Sequence, residues 1–141
     1  VISYVGFNVA LRPWVEKNGA TIEKFLAAVS EADQWMRANP KAAAQVATRW
    51  IPGLKQDVAE AAMQFNIQQA DRRLSINNYK ALWSAEDRLN RLGLIKSTFD
   101  VNKHIEPKHI LKVMKDHPRL FSDLPTIPAN AMIGPGYVFK P

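Results

Sequence analysis

No cysteine occurs in the 141 residues, so thiol nucleophiles, disulfide staples and cysteine-based zinc or iron–sulfur ligation are excluded. Histidine is scarce as well, with 3 residues in the chain. His104 and His109 stand on either side of Pro107, at a spacing that does not bring two imidazoles to one helical face, and no His-Glu-x-x-His pattern accompanies them. Both are expected to be surface or capping side chains, and neither a metal site nor a cofactor is expected. Long apolar runs are missing too. Charged or amide side chains interrupt every hydrophobic stretch well before the ~18 residues a membrane span would need. The chain opens on Val1 inside an apolar segment, without an initiator methionine or a basic and apolar leader, as an internal fragment or processed product would.

What is present fits an ordinary folded domain. Hydrophobic residues make up 47% and charged residues 23%, enough apolar material for one core without a metal or a disulfide. The formal net charge is +6, which raises the question of an anionic partner. The charges are interspersed, however, as in Glu16-Lys17, Glu23-Lys24 and Glu86-Asp87-Arg88, and the densest basic doublet, Arg72-Arg73, directly follows Asp71. Solvated helix faces account for this pattern better than a nucleic-acid groove.

Along the chain, residues 1–11 are rich in Val, Ile, Tyr and Phe and read as a strand, followed by a turn at Arg12-Pro13. After Asn18-Gly19, Thr21 is placed as the N-cap of a helix carrying Ile22, Phe25, Leu26, Val29, Trp35 and Met36 at helical spacing, with Phe25, Leu26 and Trp35 expected in the core. It should end near Ala38. Asn39 then caps a second helix with Pro40 at its first position, running to about Trp50. A third spans about Gln56 to Gln69, with Val58, Ala61, Ala62 and Phe65 on one stripe. Ser75 caps a fourth bearing Ile76, Tyr79, Leu82, Trp83, Leu89 and Leu92, which Gly93-Leu94 ends in the manner of a Schellman motif. Trp50 and Trp83 are read, like Trp35, as core residues. Residues 95–106 form a connector and a short fifth helix opens at Glu106-Pro107. The predicted class is therefore mainly α with one or two short β-strands. Residues 1–118 form the helical portion and residues 119–141 a Pro/Gly-rich extended tail. That tail is expected to pack on the chain's own helices or to mediate self-association.

The inventory offers little chemistry. Glu86-Asp87, the adjacent carboxylate pair, lies inside the fourth helix, where neighbours point about 100° apart, and is read as a solvated face. Gly134-Pro135-Gly136 lacks the lysine and the following helix that a phosphate cradle needs, and reads as a turn. No nucleophile stands with a base. The expectation is a protein without enzymatic activity.

One resemblance runs through much of the chain. Ile22-Glu23-Lys24-Phe25-Leu26-Ala27-Ala28-Val29, then Glu31-Ala32, Trp35 and Ala38-Asn39-Pro40-Lys41-Ala42-Ala43-Ala44, resembles the first carboxy-terminal helix and turn of ABC-transporter solute-binding proteins for nitrate, sulfonates, taurine and thiamine precursors. Asp71-Arg72-Arg73-Leu74-Ser75, Leu89-Asn90-Arg91-Leu92-Gly93-Leu94-Ile95-Lys96 and Asp100-Val101 are similar to later segments of the same family, so that the likeness covers about residues 4–112. Each piece is a common amphipathic pattern, and it is their order and spacing that carry the likeness. The resemblance implies the helical carboxy-terminal fragment of a two-lobed α/β binding protein of type II. It implies a periplasmic or extracytoplasmic location with a signal peptide in a preceding portion, a small, usually anionic ligand, and a cognate ABC permease as partner. Most ligand contacts of that family lie in the amino-terminal portion. The candidates carried here are Tyr4 and Phe7, by proximity of the first strand to the interlobe cleft. The alternative is a basic helical module that binds nucleic acid or acts as an adaptor, for which the lysines and arginines would have to form one contiguous stripe. The tail departs from the short ending usual in the family.

Overall fold

The computed structural model describes residues 7–67 and 70–141. Among the described residues the chain is mainly helical and contains no strand. Six α-helices occur, α1 (Arg12–Lys17), α2 (Gly19–Ala38), α3 (Pro40–Trp50), α4 (Gln56–Ile67), α5 (Ile76–Arg91) and α6 (Lys108–Asp116), with single 3-10 turns at Val101–Lys103, Pro118–Phe121 and Ala129–Ala131. None of these helices is long and apolar enough to cross a membrane.

The helix limits follow local chemistry. Pro40 occupies the first turn of α3, where its missing N–H costs no intrahelical bond, so the same residue that cannot continue α2 starts its successor. Ser75 and Asn78 form a capping box at the start of α5. At its other end the Leu94 amide donates to the Leu89 carbonyl (2.9 Å) and the Gly93 amide to that of Asn90 (2.9 Å), with Gly93 at φ +70°. This is a Schellman end, and glycine supplies the left-handed residue it requires.

Two departures concern the beginning of the chain. The expected strand lies partly outside the described residues, and its described part, residues 7–11, has no regular secondary structure. The expected turn at Arg12-Pro13 is instead the start of α1, because Pro13 sits in the first helical turn, where its fixed φ favours a helix. α2 accordingly begins at Gly19, with Asn18 rather than Thr21 as its N-cap.

The core has two parts that share α6. On one side Ile110 and Val113 pack with Leu120 and Phe121 of the following turn and with Leu26 and Ala27 of α2. On the other, Leu111 lies against a cluster of Tyr79, Val101, Ile105, Ile133 and Phe139. Leu74 touches both. The tail therefore folds back on α5: Tyr137 meets the Tyr79 ring edge-on with centroids 5.1 Å apart, and Phe139 stacks on it at 6.0 Å.

α3 and α4 pack against each other and on α2, and the residues they bury are small: Ala43, Ala44 and Ala59. The large side chains expected in the core lie nearer the surface. Trp35 is 45% exposed, Phe25 50%, Trp50 81% and Trp83 40%, so all four correct the expectation of core packing. A helix with apolar residues on more than one side can bury only the side its neighbour covers, and close approach favours the alanine side. Trp35→Ala should therefore cost only about 1–2 kcal/mol, since about half of a ~200 Å² side chain is already in water. Urea denaturation measures it, and a loss above ~3 kcal/mol would place Trp35 in the core after all.

Candidate functional site

A half-open concavity lies between the second half of α5, the loop leading to Val101 and the end of the tail. Trp83, Glu86 and Asp87 stand at i, i+3 and i+4 on α5 and so line one wall together. Phe99, Asp100, Asn102 and Phe139 line the rest of the cleft, which is half open and holds about 260 Å³.

Its frame is held by polar contacts. Asp100 accepts from the Asn102 amide (3.0 Å) and so caps the Val101–Lys103 turn. The Asn102 side chain brackets Phe139, donating to its carbonyl (3.0 Å) and accepting from its amide (2.7 Å), as a neighbouring strand would. Trp83 meets Phe139 with ring centroids 6.5 Å apart. Glu86 corrects the expectation of a solvated face. Only 3% of it is exposed, and its Oε1 accepts from the Phe99 amide at 3.1 Å, which joins α5 to the loop. Asp87 beside it is half-buried and pairs with Arg91 at 2.7 Å, one helical turn on.

A second polar group runs along α2. Asp33, 2% exposed, accepts from Arg72 Nε at 2.5 Å, and this hydrogen bond raises the Arg72 pKa despite the opposing effect of burial. Arg37, one turn on, holds Asp123 through Nε (2.6 Å) and Nη2 (3.0 Å), and donates to the Ala70 carbonyl (2.5 Å). That pairing keeps the Asp123 carboxyl below its usual range. Arg73 pairs with Asp71 and also donates to the Pro125 carbonyl (2.8 Å). These arginines are fastenings between α2, the 70–73 segment and the tail. An open, shallow groove beside them is lined by Glu31, Gln34, Trp35 and Asn39.

The third group is centred on His109, expected at the surface but only 4% exposed. Its Nδ1 lies 3.0 Å from Glu23 Oε1, and the ring presses so closely on Gly19 that a Cβ there would meet Cε1 at 2.9 Å. Glycine thus allows α2 and α6 to approach, and the imidazole bridges the two helices. His104 is exposed and meets Phe99 edge-on at 4.8 Å. Among the described residues no group of three or more His, Asp or Glu side chains is placed to hold a metal ion.

No family model, no curated protein and no solved structure matches this chain.

Of the two candidate binding residues, Tyr4 lies outside the described residues. Phe7, 39% exposed in the irregular segment before α1, lines neither concavity. The residues that line the α5 cleft include Trp83, Glu86 and Asp87, whose helical spacing was visible in the sequence. The covering loop and tail were not, because Asn102 and Phe139 are 37 residues apart and no local pattern pairs them.

Proposed function

We propose that the chain is the carboxy-terminal helical portion of a type II solute-binding protein, the substrate-binding component of an ABC importer for a small solute such as nitrate, taurine or a sulfonate. It would act outside the cytoplasm, deliver its ligand to a membrane permease and carry out no reaction. The observation that supports this is where the resembling segments fall. Ala38-Asn39-Pro40 is the α2–α3 junction, Leu89 to Leu94 is the glycine-terminated end of α5, and Asp100-Val101 opens the following 3-10 turn. A likeness located at helix terminators is more informative than one within amphipathic runs, because terminators fix segment lengths and order.

The basic charge distribution favours this over a nucleic-acid-binding module. Arg37, Arg72 and Arg73 are engaged by Asp123, Asp33 and Asp71. Along the sequence the other basic residues are interspersed with acidic ones, as in Glu16-Lys17, Glu23-Lys24 and Lys115-Asp116, rather than gathered in one run.

A two-lobed receptor gains affinity by closing around its solute, so these residues alone should bind nitrate, taurine or alkyl sulfonates no tighter than about millimolar. Calorimetry in about 0.15 M salt tests this, where a diffuse surface field is screened within ~8 Å. Micromolar, salt-resistant binding of one of these anions would mean that a complete site lies within these residues. Tight, salt-dependent binding of an oligonucleotide would favour the alternative.

A further inference from the structure

We propose that the cleft between α5 and the 98–102 loop is a binding site for a small organic ammonium ion. This is independent of the importer assignment and concerns a site that the resemblance does not supply.

The first observation is the state of Glu86. A carboxylate can accept about four hydrogen bonds and is costly to bury unless its charge is compensated. Glu86 is 3% exposed, faces the cleft, and accepts one hydrogen bond, from the Phe99 amide. Among the described residues no basic side chain pairs with it, whereas the other buried acid, Asp33, is paired with Arg72. The missing countercharge is what a ligand cation would provide.

The second observation is the lining. Trp83, Phe99 and Phe139 give aromatic surface on both sides, and the faces of such rings attract cations, tryptophan most strongly. Glu86, Asp87 and Asp100 supply negative charge, and among the described residues no Lys, Arg or His side chain lines the space, although the chain as a whole carries +6. Asp87 is already bridged by Arg91, which leaves Glu86 and Asp100 as the attracting groups. Aromatic and carboxylate side chains lining one space suit a weakly hydrated alkylammonium. A hard metal ion would need convergent oxygens instead. The volume of about 260 Å³ admits a compact head group and is too small for a nucleotide.

The test titrates the whole 141-residue chain with choline and with its uncharged isostere, in which carbon replaces the ammonium nitrogen. Choline should saturate and bind at least about tenfold more tightly than the isostere, as a cation–π and ion-pair contribution implies. The indole N–H resonance of Trp83 should move with choline alone. Glu86→Gln keeps the acceptor for the Phe99 amide while removing the charge, and should weaken choline about tenfold without affecting the isostere. Should that variant fail to fold, Trp83→Leu, at a half-exposed wall, should weaken choline about fivefold. Equal binding of choline and isostere, no saturation at ~10 mM choline, or unchanged choline affinity in folded Glu86→Gln would each overturn the assignment.

Discussion

Deletion of residues 129–141 is expected to destabilise the chain by about 5 kcal/mol or more, enough to unfold a domain of ordinary stability. Ile133 and Phe139 are 8% and 6% exposed, and each apolar side chain so buried contributes about 1.5–3 kcal/mol. Tyr137 adds its edge-on contact with Tyr79. The deletion also strips the cover from Tyr79 and leaves the Asn102 amide without the two backbone groups it brackets. Lost burial and unpaired polar groups therefore act in the same direction. Urea denaturation followed by circular dichroism compares the two chains. If their stabilities differ by less than ~1 kcal/mol, the tail is peripheral and the Tyr79 cluster does not depend on it.

From α3 onward the helices and most of their ends were legible because their signals are local, whereas α1 was read as a turn and the start of α2 was placed at Thr21. Asn39-Pro40, Ser75 with Asn78, and Gly93-Leu94 act within a turn or two of the residues they organise, and no distant partner changes them. Burial was less legible. Helical spacing showed that α2 carries Phe25 and Trp35, but the face packed in the fold includes Ser30, Asp33 and Arg37, at i, i+3 and i+7. Asp33 and Arg37 are accommodated in this face by partners from elsewhere, Arg72 for Asp33 and Asp123 for Arg37, whereas the buried Ser30 hydroxyl has no partner among the described residues. Those partners lie 39 and 86 residues away, beyond the range of any periodicity. Glu86 illustrates the same limit. Its identity and spacing suit a solvated face equally well, and only the arrival of the 98–102 loop above it buries the carboxylate.

Tyr79 should be the most sensitive single position, and two substitutions separate its packing from its ionisation. At 1% exposure it is the largest fully buried side chain, so Tyr79→Ala should cost about 3–5 kcal/mol through the cavity it leaves between α5 and the tail. Tyr79→Phe retains the ring contacts with Tyr137 and Phe139 and should cost less than about 1.5 kcal/mol near neutral pH. At alkaline pH the order should change. Burial raises the Tyr79 phenol pKa, and the nearby Tyr137 and Glu106 raise it further, whereas the unfolded chain ionises at an ordinary tyrosine pKa of about 10. Between the two values the folded chain holds a proton that the unfolded chain has released. The contribution is therefore fully present below about pH 10 and is lost as pH rises toward the folded-state value. The other alkaline titrations are common to both chains, so the difference in urea stability between the wild-type chain and Tyr79→Phe, followed from pH 8 to pH 11, isolates this residue. The wild type should lose stability more steeply above about pH 10, narrowing or reversing the gap. Parallel curves across that range would show that the phenol ionises equally readily in both states, and that the ring lies closer to water than its burial implies.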